Sequence, residues 1–147
     1  MALLEFESSV EVRTTPERAF EYFADYHHVA DVVEGVTRWA PIGSRDRGVG
    51  ARYDVEMVTF GVPLKNVLRL IEWETPEAIG WVSESGLVKQ EGGFRFTRTD
   101  DGVRIDLRIA YEPPASVFGA AIARRFDGAI RARLRRALSR IRDVLEE

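Results

Sequence analysis

His27 and His28 are the only histidines in the chain, and they stand between Asp25 and Asp31. If a helix ran back through them, His27 and Asp31 would lie four residues apart on one face, a spacing that suits metal ligation or a proton relay. The set lacks a third ligand, so no metal is expected, and histidines at a helix junction are more often simply solvated. Tyr22, Tyr26, Tyr53 and Tyr111 supply hydroxyls of the kind that act as general acids or bases, and their spacing singles out none of them. No serine stands in a Gly-x-Ser-x-Gly context, and the chain has no cysteine, which removes a thiolate nucleophile, a Cys-type zinc site and any disulfide. The glycines of "RDRGVGARY" do not lead into a helix, so they read as a turn between strands rather than a phosphate loop. No cofactor is expected.

The stretch "ARRFDGAIRARLRRALSRIR", residues 123–142, holds eight arginines and one acid in a chain of formal net charge −3. The remainder of the chain is therefore acidic, which opposes nucleic-acid binding, since that requires a basic field. Phe118, Ile122, Phe126, Ile130, Leu134 and Leu138 recur every four residues, followed by Ile141 and Leu145. This is the buried stripe of a helix lying across a sheet. At 100° per residue Arg131, Arg135 and Arg142 flank the stripe on one side, Arg133 and Arg140 on the other, with Arg136 nearer the outer face. Long arginine stems there cover the edges of a core. Stable membrane insertion is not expected, because the strands need the stripe as their lid. Arg125 lies toward the edge of the stripe held by Phe118 and Ile122.

These residues have to be positioned by one domain: 147 residues suffice for one ordinary core and not for two, so a single domain over 1–147 is expected. The amino-terminal segment has neither a basic leader nor an apolar run, and the protein reads as soluble and cytoplasmic. Leu4, Phe6, Ser8, Val10 and Val12 alternate with polar residues as a strand with one wet face. Thr15 caps and Pro16 starts a short helix to about Asp25, and a second short helix runs from about His28 to Val33. Alternating segments then follow one another, separated by turn residues, from Val36 to Glu112. Pro113 and Pro114 end the sheet, and Ser116 or a neighbour caps the long final helix to about Leu145.

The order strand, two short helices, about six more antiparallel strands and a long helix resembles the helix-grip fold of the SRPBCC superfamily. That group includes START-type lipid-transfer domains, pollen-allergen-like proteins and the polyketide cyclase/dehydrase group. The resemblance spans the whole chain and is most specific in "VEVRTTPERAFEYFADYHHVADVVEGV" and "LIEWETPEAIGW". Neither segment is a catalytic signature, and fold alone does not fix function. The resemblance implies an α+β fold in which a curved sheet of about seven strands grips the final helix and leaves a cavity between them.

Alternation assigns side chains to that cavity. Val55 and Met57 point inward; on the next strand Asn66, Leu68 and Leu70 do so, because the opposite register would bury Arg69 without a partner. Ile79, Trp81, Ser83 and Ser85 share a face, as do Val88, Gln90, Phe94 and Phe96, and Phe118 and Ile122 close the cavity from the helix. The same pattern would equally fill a solid core. His27, His28, Arg45, Arg47 and Arg125 are placed at the rim. The outward set Val58, Phe60, Val67, Ile71 and Trp73 forms an apolar patch that suits a homodimer or partner contact. The expected function is binding or transport of a hydrophobic molecule such as a lipid, isoprenoid, quinone or polyketide. The alternatives are a polyketide cyclase/dehydrase enzyme and a co-chaperone or regulatory interaction protein.

Overall fold

Strand alternation and helix caps lay down the elements in the expected order. The computed structural model describes residues 4–86, 88–112 and 120–147. Strand β1 (Leu4–Val12) buries Phe6 and Val12 and leaves its glutamates in solvent. Helix α1 (Pro16–Ala24) begins where the Thr15 hydroxyl accepts the Arg18 N–H at 3.1 Å, and Pro16 occupies the first turn, where its missing N–H costs nothing. It buries Ala19, Phe20 and Ala24. A 3₁₀ turn over Tyr26–His28 leads into one turn of helix, α2 (Val29–Val32).

Strands β2 (Val36–Pro41), β3 (Arg52–Thr59), β4 (Val62–Glu74), β5 (Ala78–Gly86), β6 (Gln90–Arg98) and β7 (Val103–Tyr111) follow. With β1 they make one antiparallel curved sheet in the order β1-β7-β6-β5-β4-β3-β2. Helix α3 (Ala120–Leu145) lies across it. Its stripe buries Ala137, Leu138, Ile141 and Leu145, while Arg131 and Arg135 each lay a guanidinium over the Phe6 ring at 5.6 Å. The Ser116 cap and Phe118 lie outside the described residues, as do the side chains of Ile122 and Phe126. Among the described residues no helix is long and apolar enough to cross a membrane.

Three sequence expectations are corrected. Trp73 does not face outward. The pairing of β4 with β5 steps from Leu70 opposite Trp81 to Glu72 opposite Gly80, so Ile71 is the extra residue of a bulge and Trp73 turns inward. There its ring meets Phe20 edge-on at 5.2 Å. Phe60 is not a strand residue: Phe60 and Gly61, with φ of 52° and 75°, form the two-residue turn between β3 and β4. Of the proposed outer patch, Phe60 and Ile71 remain half exposed. A second irregularity in the same pairing puts Ser83 opposite Leu68 but Ser85 opposite Val67, so Ser85 leaves the inner face.

Candidate functional site: a cavity between sheet and helix

Curling the sheet around α3 leaves a cavity of about 210 Å³, below the ~300–1,000 Å³ of sites for drug-sized ligands. Val55, Met57, Asn66, Leu68, Leu70, Trp81, Gln90 and Phe94 line it. Phe96 does not reach it and packs in the core behind, 5.7 Å from the Phe20 ring. Ser83 is turned to the backbone, its hydroxyl accepting the Gln90 N–H at 2.9 Å. All three tryptophans, Trp39, Trp73 and Trp81, face the cavity. Trp81 takes the width it needs from Gly92, its partner across β5 and β6: a Cβ there would stand 2.8 Å from the indole.

Polar groups on the sheet side are already engaged. The Asn66 amide donates to the Val88 carbonyl at 2.9 Å and accepts the Val88 N–H at 3.3 Å, tying β4 to the start of β6. The Trp81 indole N–H reaches Gln90 Oε1 at 3.4 Å. Tyr53 lines the cavity, but its hydroxyl donates to the Asp46 carbonyl at 2.5 Å. Burial first, and then the charge of Asp46, push its pKa up to about 12. Tyr111 likewise donates to Asp127, and burial followed by that bond raises its pKa beyond the ordinary tyrosine range. Both hydroxyls stay protonated and occupied near neutrality, which makes them poor acid/base groups.

The helical side differs. Tyr22, Tyr26 and His28 line the cavity from α1 and the 3₁₀ turn. The Tyr22 ring stacks on His28 with centroids 4.0 Å apart, and the His28 Nδ1 lies 2.7 Å from the Tyr22 carbonyl oxygen, which holds the imidazole in place. Burial, then Asp31, raises the Tyr22 pKa. Neither Tyr22 nor Tyr26 gives its hydroxyl to a protein acceptor among the described residues. His27 points elsewhere: the 3₁₀ turn, in which the Asp25 carboxylate accepts the His27 N–H, separates it from Asp31 and leaves it exposed and 2.7 Å from Asp25 Oδ1. That bond, followed by the His27 backbone N–H, lowers the Asp25 pKa. Among the described residues no three His, Asp or Glu side chains converge as metal ligands would.

The arginines placed at the rim lie outside the lining. Arg45 donates to the Val49 carbonyl, and Arg47 pairs with Glu21 at 2.9 Å while its guanidinium lies over the Trp73 ring at 5.6 Å. Arg125 is exposed. Among the described residues the arginine that does line the cavity is Arg133. The lining positions among the described residues of α3 are Ile130, Arg133, Leu134, Ala137, Leu138 and Ile141, the three-and-four spacing of one helix face, and Arg133 stands within it. Sequence reasoning put Arg133 on the flank because it counted only apolar residues as stripe. The signal available was its place three residues after Ile130 and four before Ala137.

The sequence profile of the "Polyketide cyclase / dehydrase and lipid transport" family matches residues 4–146. No curated protein sequence matches significantly. Among solved structures, TTHA0849 of Thermus thermophilus is similar at a TM-score of 0.82 and 18% identity, over 95% of each chain. The di-domain ARO/CYC StfQ of the steffimycin biosynthetic pathway is similar at 0.75 and 15%, over 99% of this chain and 51% of that one. The Polyketide_cyc-like protein Cgl2372 of Corynebacterium glutamicum is similar at 0.64 and 18%, over 98% of this chain and 92% of that one. At these identities the structures speak for the fold, which is the helix-grip fold. Sheet, gripped helix, the cavity between them and a profile match over nearly every residue lead to one assignment: the chain belongs to the polyketide cyclase/dehydrase and lipid transport family of the SRPBCC superfamily.

Proposed function

We propose that the protein binds and carries a small hydrophobic molecule in the cavity between the sheet and α3. The observation that carries this reading is a cavity of about 210 Å³ whose wall is overwhelmingly apolar and includes three tryptophans. A ligand of the lipid, isoprenoid, quinone or polyketide class would gain about 2.5 kcal/mol for each ~100 Å² of apolar surface it hides there. A volume this size favours a single ring system or a short chain over a long acyl lipid. Titration with 1-octanol, followed by tryptophan emission, tests it. A saturable shift is the expected result; emission that does not respond at any soluble concentration contradicts it.

A second reading, a cyclase or dehydratase of polyketide type, is favoured by one observation. Tyr22, Tyr26 and His28 face the cavity together, so a proton donor and acceptor are at hand. Turnover of a reactive polyketone that is lost in Tyr22→Phe and His28→Gln, with binding retained, would select this reading over a pure carrier.

A further inference from the structure

Arg133 lines an apolar cavity, and its charge has no carboxylate partner among the described residues. Three arginines near it on α3 have a carboxylate partner, and Arg135 lies over the Phe6 ring. Arg131 pairs with Asp127 at 3.0 Å, and Arg136 and Arg140 close on Glu34 at 2.7 Å and 2.6 Å. Glu34 is the acid whose charge acts on Arg133, yet its two oxygens accept from Arg136 and Arg140.

The guanidinium is nonetheless fixed. It donates to the Thr59 hydroxyl at 3.1 Å and to the Val58 carbonyl at 3.0 Å, both neutral acceptors at the end of β3. It passes over Gly35, where a Cβ would stand 2.7 Å from its terminal nitrogen and where φ is +85°. These two bonds use two of its five N–H groups, which leaves three without a protein acceptor among the described residues. A partly desolvated cation with spare donors is well matched by a planar anion that takes the guanidinium fork in two parallel bonds.

We propose that the cavity selects an amphiphile with a carboxylate head, held by Arg133, and an apolar body against Trp81, Leu68 and Leu134. The inference rests on the cavity being a ligand site and adds the chemical class of the ligand. Neutral lipids and alcohols would enter the same space but leave the guanidinium fork unfilled.

The test compares octanoate with octanamide, which matches it in shape and lacks the charge, by tryptophan emission at pH 7.5. Wild type is expected to bind octanoate about tenfold or more tighter than octanamide, the range of charge-assisted hydrogen bonds. Arg133→Gln should lose that preference through weakened octanoate binding, and Arg125→Gln, altered at an exposed site on the same helix, should keep it. Circular dichroism checks that each variant folds. Should Arg133→Gln not fold, the wild-type ratio and its partial retention in Arg133→Lys decide instead. Equal binding of the two probes by wild type, or a preference that survives in Arg133→Gln, overturns the carboxylate assignment while leaving the cavity as an apolar site. If neither probe moves the emission, the binding reading falls with it.

Discussion

The two walls of the cavity are built to different rules. On the sheet wall, polar atoms are spent within the protein: Asn66 on Val88, Trp81 on Gln90, Tyr53 on Asp46. On the helical wall, Tyr22, Tyr26, His28 and Arg133 face the cavity with hydrogen-bonding capacity left over. A sheet is held by neighbours on both sides, and a buried polar group there costs stability unless it is paired. Short helices and one face of a long helix present side chains that need not support a neighbour. The difference suggests that the sheet sets the shape of the space and the helices set its chemistry.

The contrast is sharpest at Asn66. Asn66→Leu leaves the buried N–H and carbonyl of Val88 without their partner and is expected to cost about 2–4 kcal/mol, read from urea unfolding. A loss under about 1 kcal/mol would mean that the sheet wall tolerates unpaired groups, and the comparison would fail. Gly92→Ala should cost somewhat less, about 1–3 kcal/mol, because the new Cβ presses on the Arg108 carbonyl and on Trp81. It should also shift tryptophan emission, since the indole has to move into the cavity.

The walls should also respond to opposite ends of the pH scale. Tyr53 has its pKa raised from 10.0 to about 12, so the folded state favours the neutral phenol. Its contribution is full below pH 10 and is lost as the pH rises toward 12. Glu34, which ties the end of α2 to α3, is lowered from 4.5 to about 2, first by its bond to Arg136 and then by that to Arg140. Its contribution is present above pH 4.5 and is lost as the pH falls toward 2. Thermal midpoints measured against pH should show an alkaline limb flattened by Tyr53→Phe and a smaller acid limb flattened by Glu34→Gln. The smallest effect is expected outside both walls: Ile71→Ser, at the exposed bulge, should stay within about 0.5 kcal/mol and leave probe binding unchanged.

Much of the sheet wall was legible in the sequence because a strand repeats every two residues and charge sets the phase. Burying Arg69 would have been costly, so Asn66, Leu68 and Leu70 had to face inward, and they do. Legibility stopped at Ile71. One extra residue in a bulge reverses every later side chain, and nothing in "LIEWETP" announces it. The helical wall was harder to read for a different reason. The 3₁₀ turn changes the angle between successive residues, which carried His28 to the cavity and His27 away from it. Arg133 was hidden by its own chemistry: a cation in a cavity-facing position looks like a flank residue until the partners of Glu34 are known.

Native mass spectrometry of the protein purified from its own host tests the central claim most directly. The account predicts a noncovalent adduct of one small apolar molecule per chain, released on denaturation. A bare chain mass under conditions that preserve the fold, with tryptophan emission indifferent to added apolar probes, would contradict it.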